Sequence, residues 1–438
     1  MESPLRFTIQ IDPSQQGTYF ALPFHVPEGT ESIAVKYAYD RRPEKEQPFE
    51  QGVFTARIEQ NIIDLGLIDP RGAQVGASGS DKAEIAVSET QATPGYQPCP
   101  VIPGEWQILV GAYKVAQEGV TVTYEVTFRP KTRRLLKGDL HAHTVASDGV
   151  HTAEELAWKA RRNGLDFVVV TDHNQFASQE SLPRLEGVTM IPGVEWTHYR
   201  GHASFIGIDR PYDGVFAANT VEEATARFVT ARQRGALIVI DHPFDPDCGF
   251  QFDVNALPHD CIEIWNGPMR ESNLRAVGYW HQRLCAGAKI PACGGSDYHR
   301  DTPFIFMGGP TMCVFAESAG ASDILAAARA GHGFITFAPD GPTLELTAGD
   351  AIMGDTVDWQ EHKEVQIAAR GLLPGDVLRI ATSRETKVLF EAPSDGDVSL
   401  TYAMEAAGFV RCEIVRSFLP GVPMLPALIS NPIFFDGS

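Results

Sequence analysis

The first part of the chain alternates apolar and polar residues with a period of two. Stretches at 33–39 (IAVKYAY), 106–110 and 120–128 follow this rule and are separated by turns rich in glycine and proline. Strands with one apolar face predict an antiparallel all-β domain, a sandwich, over residues 1–130. The texture then changes. Thr152-Ala-Glu-Glu155 is a capping box, whose side chains satisfy the free amides of a helix start; the helix runs toward Asn163 and stops at Gly164. An apolar strand at 167–170 follows, and then Thr171-Asp172-His173-Asn174. The same order returns twice. Thr220-Val-Glu-Glu223 opens a helix ended by Gly235, with a strand at 236–240 and Asp241-His242-Pro243 behind it. A helix at 273–286, Gly287, a strand at 290–292 and Gly295-Ser296-Asp297-Tyr298-His299 make the third copy. Helix, glycine, buried strand and polar cluster are the pattern of an α/β barrel, whose chemistry lies where the strands end. Beyond 341 the β pattern returns, with strands at 343–347, 365–369, 377–381 and 409–415 and a proline-rich stretch at 420–426. Three domains are expected: β at 1–130, the barrel at 131–340, and a small β domain at 341–438.

Composition narrows the function classes. The chain has 438 residues and a formal charge of −20. That charge argues against strong binding to duplex nucleic acid or to anionic membranes, which needs a basic face. The start MESPLRFTIQ has no basic-then-apolar leader pattern, and no apolar run approaches membrane-spanning length. The seven cysteines, Cys248 among them, are scattered without a CxxC pair and read as inert thiols of a cytoplasmic protein.

The histidines carry the chemistry. Eleven of the thirteen lie between His141 and His332, and they cluster at predicted strand ends. In a strand, residues two apart share a face, so His141 and His143 present two imidazoles side by side. Such a pair is a poor structural choice and half of a metal site. Asp148 follows in Ser147-Asp148-Gly149, Glu195 in Pro192-Gly-Val-Glu195-Trp196, and Asp297 with His299 forms a second pair. With His173, His202 and His242 these make nine oxygen and nitrogen donors without sulfur, a set suited to two or three divalent ions such as Mn, Zn or Fe. Asp172 and Asp241 are candidates to orient a ligating histidine or to cap a turn. Trp196 and Trp265 read as core residues before they read as stacking platforms.

The motifs Asp139-Leu140-His141-Ala142-His143-Thr144, Ser147-Asp148-Gly149, Thr171-Asp172-His173-Asn174, Asp241-His242-Pro243 and Gly295-Ser296-Asp297-Tyr298-His299 resemble, in order, those of the PHP superfamily of metal-dependent phosphoesterases. Within it, Gly193-Val-Glu195 with Gly201-His202, and Ile264-Trp265-Asn266-Gly267, look like the CehA/McbA-type metallohydrolase branch. The resemblance covers about 136–340 and implies a distorted (β/α)7 barrel, here flanked by β-sandwich-like domains. It implies three metal positions: His141, His143, Glu195 and Asp297; a second sharing Glu195 with His202 and His242; and a third of Asp148, His173 and His299. The choice of His202 over nearby His198 rests on the family pattern.

Three divalent ions outweigh the three ligand carboxylates, so the site would be net positive and would select a small anionic substrate. Metal-bound hydroxide attacking a phosphomonoester or phosphodiester is the expected reaction. Glu195 would bridge two ions, and Arg270 and Arg300 are candidate phosphate contacts. A carboxyl-ester or carbamate hydrolase on the same metals is the alternative. An inactive barrel acting as a binding protein is a third reading, which the complete ligand set disfavours.

Overall fold

The computed structural model describes residues 3–42 and 59–437. The chain divides into two compact units, Met1–Thr132 and Arg133–Ser438.

In the first unit, two four-stranded antiparallel sheets share one core. Leu5–Ile11, Val120–Pro130, Thr30–Ala38 and Glu84–Ser88 form one sheet; Tyr19–Val26, Gly104–Lys114, Ile62–Ile68 and Gln74–Ser78 form the other. The two-residue period does the sorting. Val120, Val122, Tyr124 and Val126 are buried, while Thr121, Thr123 and Thr127 on the opposite face are exposed. Trp106, Ile108 and Val110 of the second sheet are buried in the same core. Each of these large apolar side chains contributes ~1.5–3 kcal/mol by leaving water.

The second unit is a mixed α/β fold, rich in sheet and poor in helix. Its first half runs β1 (Arg134–Ala142), α1 (Ala153–Arg162), β2 (Phe167–Val170), β3 (Thr189–His198), β4 (Gly201–Ile206), α2 (Val221–Gln233), β5 (Leu237–Ile240), β6 (Cys261–Asn266), α3 (Glu271–Cys285), β7 (Ala292–Gly295), β8 (Thr311–Ala316), α4 (Ala321–Ala330) and β9 (Gly333–Thr336). Strands β7-β6-β5-β4-β3-β2-β1 are neighbours in that order. The same 15-stranded sheet continues through β8 and β9 into Leu425–Ser430, Gly408–Arg416, Val377–Thr382 and Thr386–Glu391. A further four-stranded sheet, containing Thr343–Ala348 and Glu364–Leu372, packs on these last strands through a common core. The two ends of the seven-strand run meet. Ala142 forms a parallel bridge with Tyr298, just beyond β7. His143 N–H donates to the Tyr298 carbonyl at 2.9 Å, and Tyr298 N–H to the His141 carbonyl at 3.3 Å.

The three helix–glycine–strand copies expected from the sequence are all present. Thr152 accepts from the Glu155 amide and Thr220 from the Glu223 amide, capping α1 and α2. Gly164, Gly235 and Gly287 end the helices at φ of 77°, 92° and 89°, a region open to glycine. Elsewhere the expected β/α alternation fails. β3 and β4 are joined through Tyr199 and Arg200 alone, and a link of two residues forces an antiparallel hairpin. β4 therefore runs against both neighbours, and only a single 3-10 turn, Gln179–Ser181, lies between β2 and β3. The strand expected at 290–292 starts only at Ala292, because Pro291 has no amide to give the ladder. Among the described residues no helix is long and apolar enough to cross a membrane.

Gly138 in β1 faces Phe167 so closely that an added Cβ would overlap the ring. Phe167 is fully buried, so Gly138→Ala is expected to destabilise the unit by ~1–3 kcal/mol. Urea unfolding should show a lower midpoint at an unchanged slope; an unchanged midpoint would mean that the ring yields freely.

Candidate metal centre

The strand ends converge on one carboxylate. Glu195 lies on β3 with none of its surface exposed. His202 starts β4 and, because β4 is antiparallel, it lies at the edge where the parallel strands end. In the β3–β4 register Glu195 faces Ser204, two residues from His202, so both side chains share a face. The Glu195 Oε1 atom is 2.6 Å from His202 Nδ1 and 3.3 Å from His242 Nε2. Oε2 faces the other way, 3.4 Å from both His141 Nε2 and His143 Nε2 and 2.8 Å from His173 Nδ1. Asp297 Oδ1 is 3.1 Å from His143 Nε2 and 3.5 Å from His141 Nε2. At the rim, Asp148 Oδ1 is 3.0 Å from His299 Nε2 and 3.6 Å from His173 Nε2.

All nine metal-ligand candidates thus gather at one place, in overlapping groups. His143, Asp148, His173 and His299 bring ligand atoms within 4.8 Å of one another, as do His141, His143 and Glu195, and likewise His141, His242 and Asp297. His198 is elsewhere engaged: its Nε2 donates to the Ala218 carbonyl at 2.7 Å and its Nδ1 accepts from the Arg200 amide. Both nitrogens are used, which is a structural reason to prefer His202. Arg270 bonds Asn266 Oδ1 at 3.0 Å and pairs with Asp245, and Arg300 lies exposed next to His299. Trp196 and Trp265 are buried, with their indole N–H groups donated to the carbonyls of Phe216 and Gly267.

Several polar atoms here are buried without a hydrogen-bond partner. They include His141 Nε2, both nitrogens of His143, Glu195 Oε2 and Asp297 Oδ1. Folded proteins seldom leave such atoms unsatisfied, and these converge from four side chains. The donors are imidazole nitrogens and carboxylate oxygens, the set that binds a small divalent cation. The residues present fit metal ions.

The charges agree. Burial disfavours an ionised Glu195, but the charge of His141 and the close imidazoles of His141, His173 and His202 hold its carboxyl well below the usual carboxylate range. Asp297 is also held low against its burial, by the charge of His141 and by the adjacent His143 ring. Burial alone would push the His141 pKa down; Asp297, Glu263 and Glu195 outweigh it and raise it well above its ordinary value. The buried carboxylates are held as anions by the imidazoles around them.

Some of the supporting residues are not marked in the sequence pattern. Asp139, fully buried, accepts from the amides of Ser296 at 2.9 Å, Gly308 at 2.8 Å and His141 at 3.2 Å, and from the Ser296 hydroxyl. Of its two expected roles Asp172 takes the turn: it accepts from Thr144 N–H and O–H and from Ser147 O–H, ordering the loop that carries Asp148. Asp241 accepts from the Ser204 hydroxyl at 2.8 Å. The Cys248 sulfur, expected to be inert, lies 3.6 Å from His242 Nδ1, close to His202 and His242. Glu263 on β6 bonds His141. A lone glutamate inside an apolar run was the one available signal for it.

No family model matches the chain. A protein of Vibrio campbellii named "Probable phosphatase" is 31% identical over 194 residues, 37% of this chain and 78% of that protein. An uncharacterized protein of Methanocaldococcus jannaschii is 27% identical over 153 residues, 31% of this chain and 85% of its own length. A solved two-domain protein of Bacteroides vulgatus, described as containing a predicted PHP-like metal-dependent phosphoesterase, covers 68% of this chain and 95% of its own at 17% identity, with a TM-score of 0.40. The Vibrio relative and the gathered histidines and carboxylates agree. The site is that of a metal-dependent hydrolase. The chain belongs to the PHP superfamily.

Binding a ligand only in the folded state stabilises that state by ~2.7 kcal/mol at a hundredfold excess over Kd. Mn²⁺ added to chelator-stripped protein is therefore expected to raise Tm, and Glu195→Gln to lose most of the rise. An equal rise in parent and variant would remove Glu195 from the centre.

Proposed function

We propose that the chain hydrolyses phosphoesters of small anionic molecules, with Glu195 bridging two metal ions. The observation that carries this reading is the split of Glu195: one oxygen faces His202 and His242, the other His141, His143 and His173. A carboxylate whose two oxygens address separate imidazole sets is built to hold two cations side by side. When bound, such ions supply Lewis acidity and a water made nucleophilic at neutral pH. His141, His143 and Asp297 would hold the deep ion, His202 and His242 the neighbouring one, and Asp148, His173 and His299 a third at the rim. Mn, Zn or Fe suits the donors.

The protein's own groups also set the substrate. The ligand carboxylates Asp148, Glu195 and Asp297 do not neutralise three divalent ions, so the centre favours an anion inside an acidic chain. Arg270 is next to Asn266, within the network around Asp297, and Arg300 follows His299; both are assigned to phosphate contact. The phosphatase name of the Vibrio relative supports the phosphoester class. The CehA/McbA branch is supported by the motifs around Glu195 and Trp265. The β-rich segments 1–130 and 341–438 are assigned to packing or docking, and the chemistry to a barrel at 131–340. Seven scattered cysteines without a CxxC pair fit a cytoplasmic protein.

The rim position separates phosphoester from carbonyl chemistry. A cation held by Asp148, His173 and His299 would add positive charge beside the extra oxygens of a phosphoryl group, while carbonyl attack needs only the bridged pair. Asp148→Ala is expected to abolish phosphoester turnover and largely to spare any ester or carbamate turnover, with one metal fewer on the same sample. Equal loss of both activities would assign the rim position to both reactions. Retained phosphoester turnover with one metal gone would overturn the three-metal reading.

A further inference from the structure

The strongest unassigned feature is a buried carboxylate just behind the centre. Glu263, on β6, is 2% exposed. Its Oε1 is 3.2 Å from His141 Nδ1, its Oε2 accepts the His242 backbone amide at 2.8 Å, and the Asn266 side-chain amide donates to the same Oε2 at 3.1 Å. The Asn266 amide nitrogen is also 3.3 Å from Asp297 Oδ2. One glutamate thus touches two of the proposed ligands directly and a third through Asn266, and these ligands come from the ends of β1, β5 and β7.

We infer that Glu263 is a positioning residue that fixes the tautomer of His141 and the backbone of His242, and so pre-forms the metal centre. The inference rests on the metal-centre reading above. A carboxylate can only accept hydrogen bonds, so Nδ1 of His141 must carry the proton. In a neutral imidazole the lone pair then lies on Nε2. Nε2 is the atom that faces Glu195 and Asp297 and has no hydrogen-bond partner. Carboxylates behind ligating histidines orient the ring and raise its basicity in this way.

The His242 bond has a separate reason. His242 has φ of 26°, a region that costs a non-glycine residue energy, and such strain persists only where neighbours hold it. The amide bond to Glu263 is such a hold, and it aims the ring at Glu195. Asn266 is itself fixed, with its backbone amide bonded to Asn273 Oδ1 and its side-chain oxygen to Arg270. The device is rigid because each member has a second partner.

The test is Glu263→Gln in the full chain, stripped with chelator and titrated with Mn²⁺ by calorimetry, so that no activity assay is needed. Glutamine keeps the shape but puts a donor where one oxygen accepted, so either the His141 ring or the His242–Asn266 side loses its bond. We expect the parental number of ions at saturation, a Kd weaker by about 10–100-fold, and a metal-free Tm within about 4 °C of the parent. Parental affinity would overturn the inference, and a lower count at saturation would overturn it by making Glu263 a ligand itself. If the glutamine variant does not fold, Glu263→Asp keeps the charge but shortens the reach and should weaken Kd in the same range; parental affinity there overturns the inference equally. A parent protein that bound no Mn²⁺ at all would instead sink the metal-centre reading and the inference with it.

Discussion

A carboxylate without solvent exposure, ringed by five histidines, sets the terms for the second unit. An ionised group taken out of water must find countercharge and hydrogen bonds, or it takes up a proton and becomes neutral. Glu195 stays ionised because His141, His173 and His202 answer it, and Asp297 stays ionised by His141 and His143. Behind them Glu263 bonds the remaining ring nitrogen of His141, Asp172 ties down the loop that carries Asp148, and Asp139 ties down the strand ends at His141 and Ser296. The site is two shells deep, and the outer shell is as buried as the inner one.

The backbone shows the same demand. Among the described residues the non-glycine positions with positive φ are Asn174, His242 and Asp297, and all three lie just past strand ends at the centre. A chain held in this region costs ~1–3 kcal/mol per residue unless its surroundings fix it. Here they do: Asn174 Nδ2 donates to the Thr197 carbonyl, the His242 amide goes to Glu263, and the Asp297 carboxylate faces Asn266. Strain in the loops is the cost of turning ligands inward from strands that run outward.

Much of this was legible from residue order. His141 and His143 share a strand face by the two-residue period, and the capping boxes at Thr152 and Thr220 announced helices where helices are. The hairpin of β3 and β4 was less legible, because a short Tyr199-Arg200 link looks like any polar pair until its length is read as a turn. That hairpin is what brings His202 to Glu195. Glu263 was marked only by being the one acidic residue among Cys261, Ile262, Ile264 and Trp265; it carries no spacing signal, and its partners lie more than a hundred residues back and about twenty residues back in sequence. Long-range partners of single residues are invisible to periodicity, whereas clustered ligands are not.

The central claim is that Glu195 bridges metal ions held by these histidines. Crystals of the full chain grown with Mn²⁺ and measured at wavelengths on either side of the manganese absorption edge test it most directly. The account predicts two or three anomalous peaks, with two of them sharing Glu195 between them, one toward His202 and His242 and the other toward His141 and His143. A well-ordered centre with no peak, or with a single peak that does not touch Glu195, would contradict it.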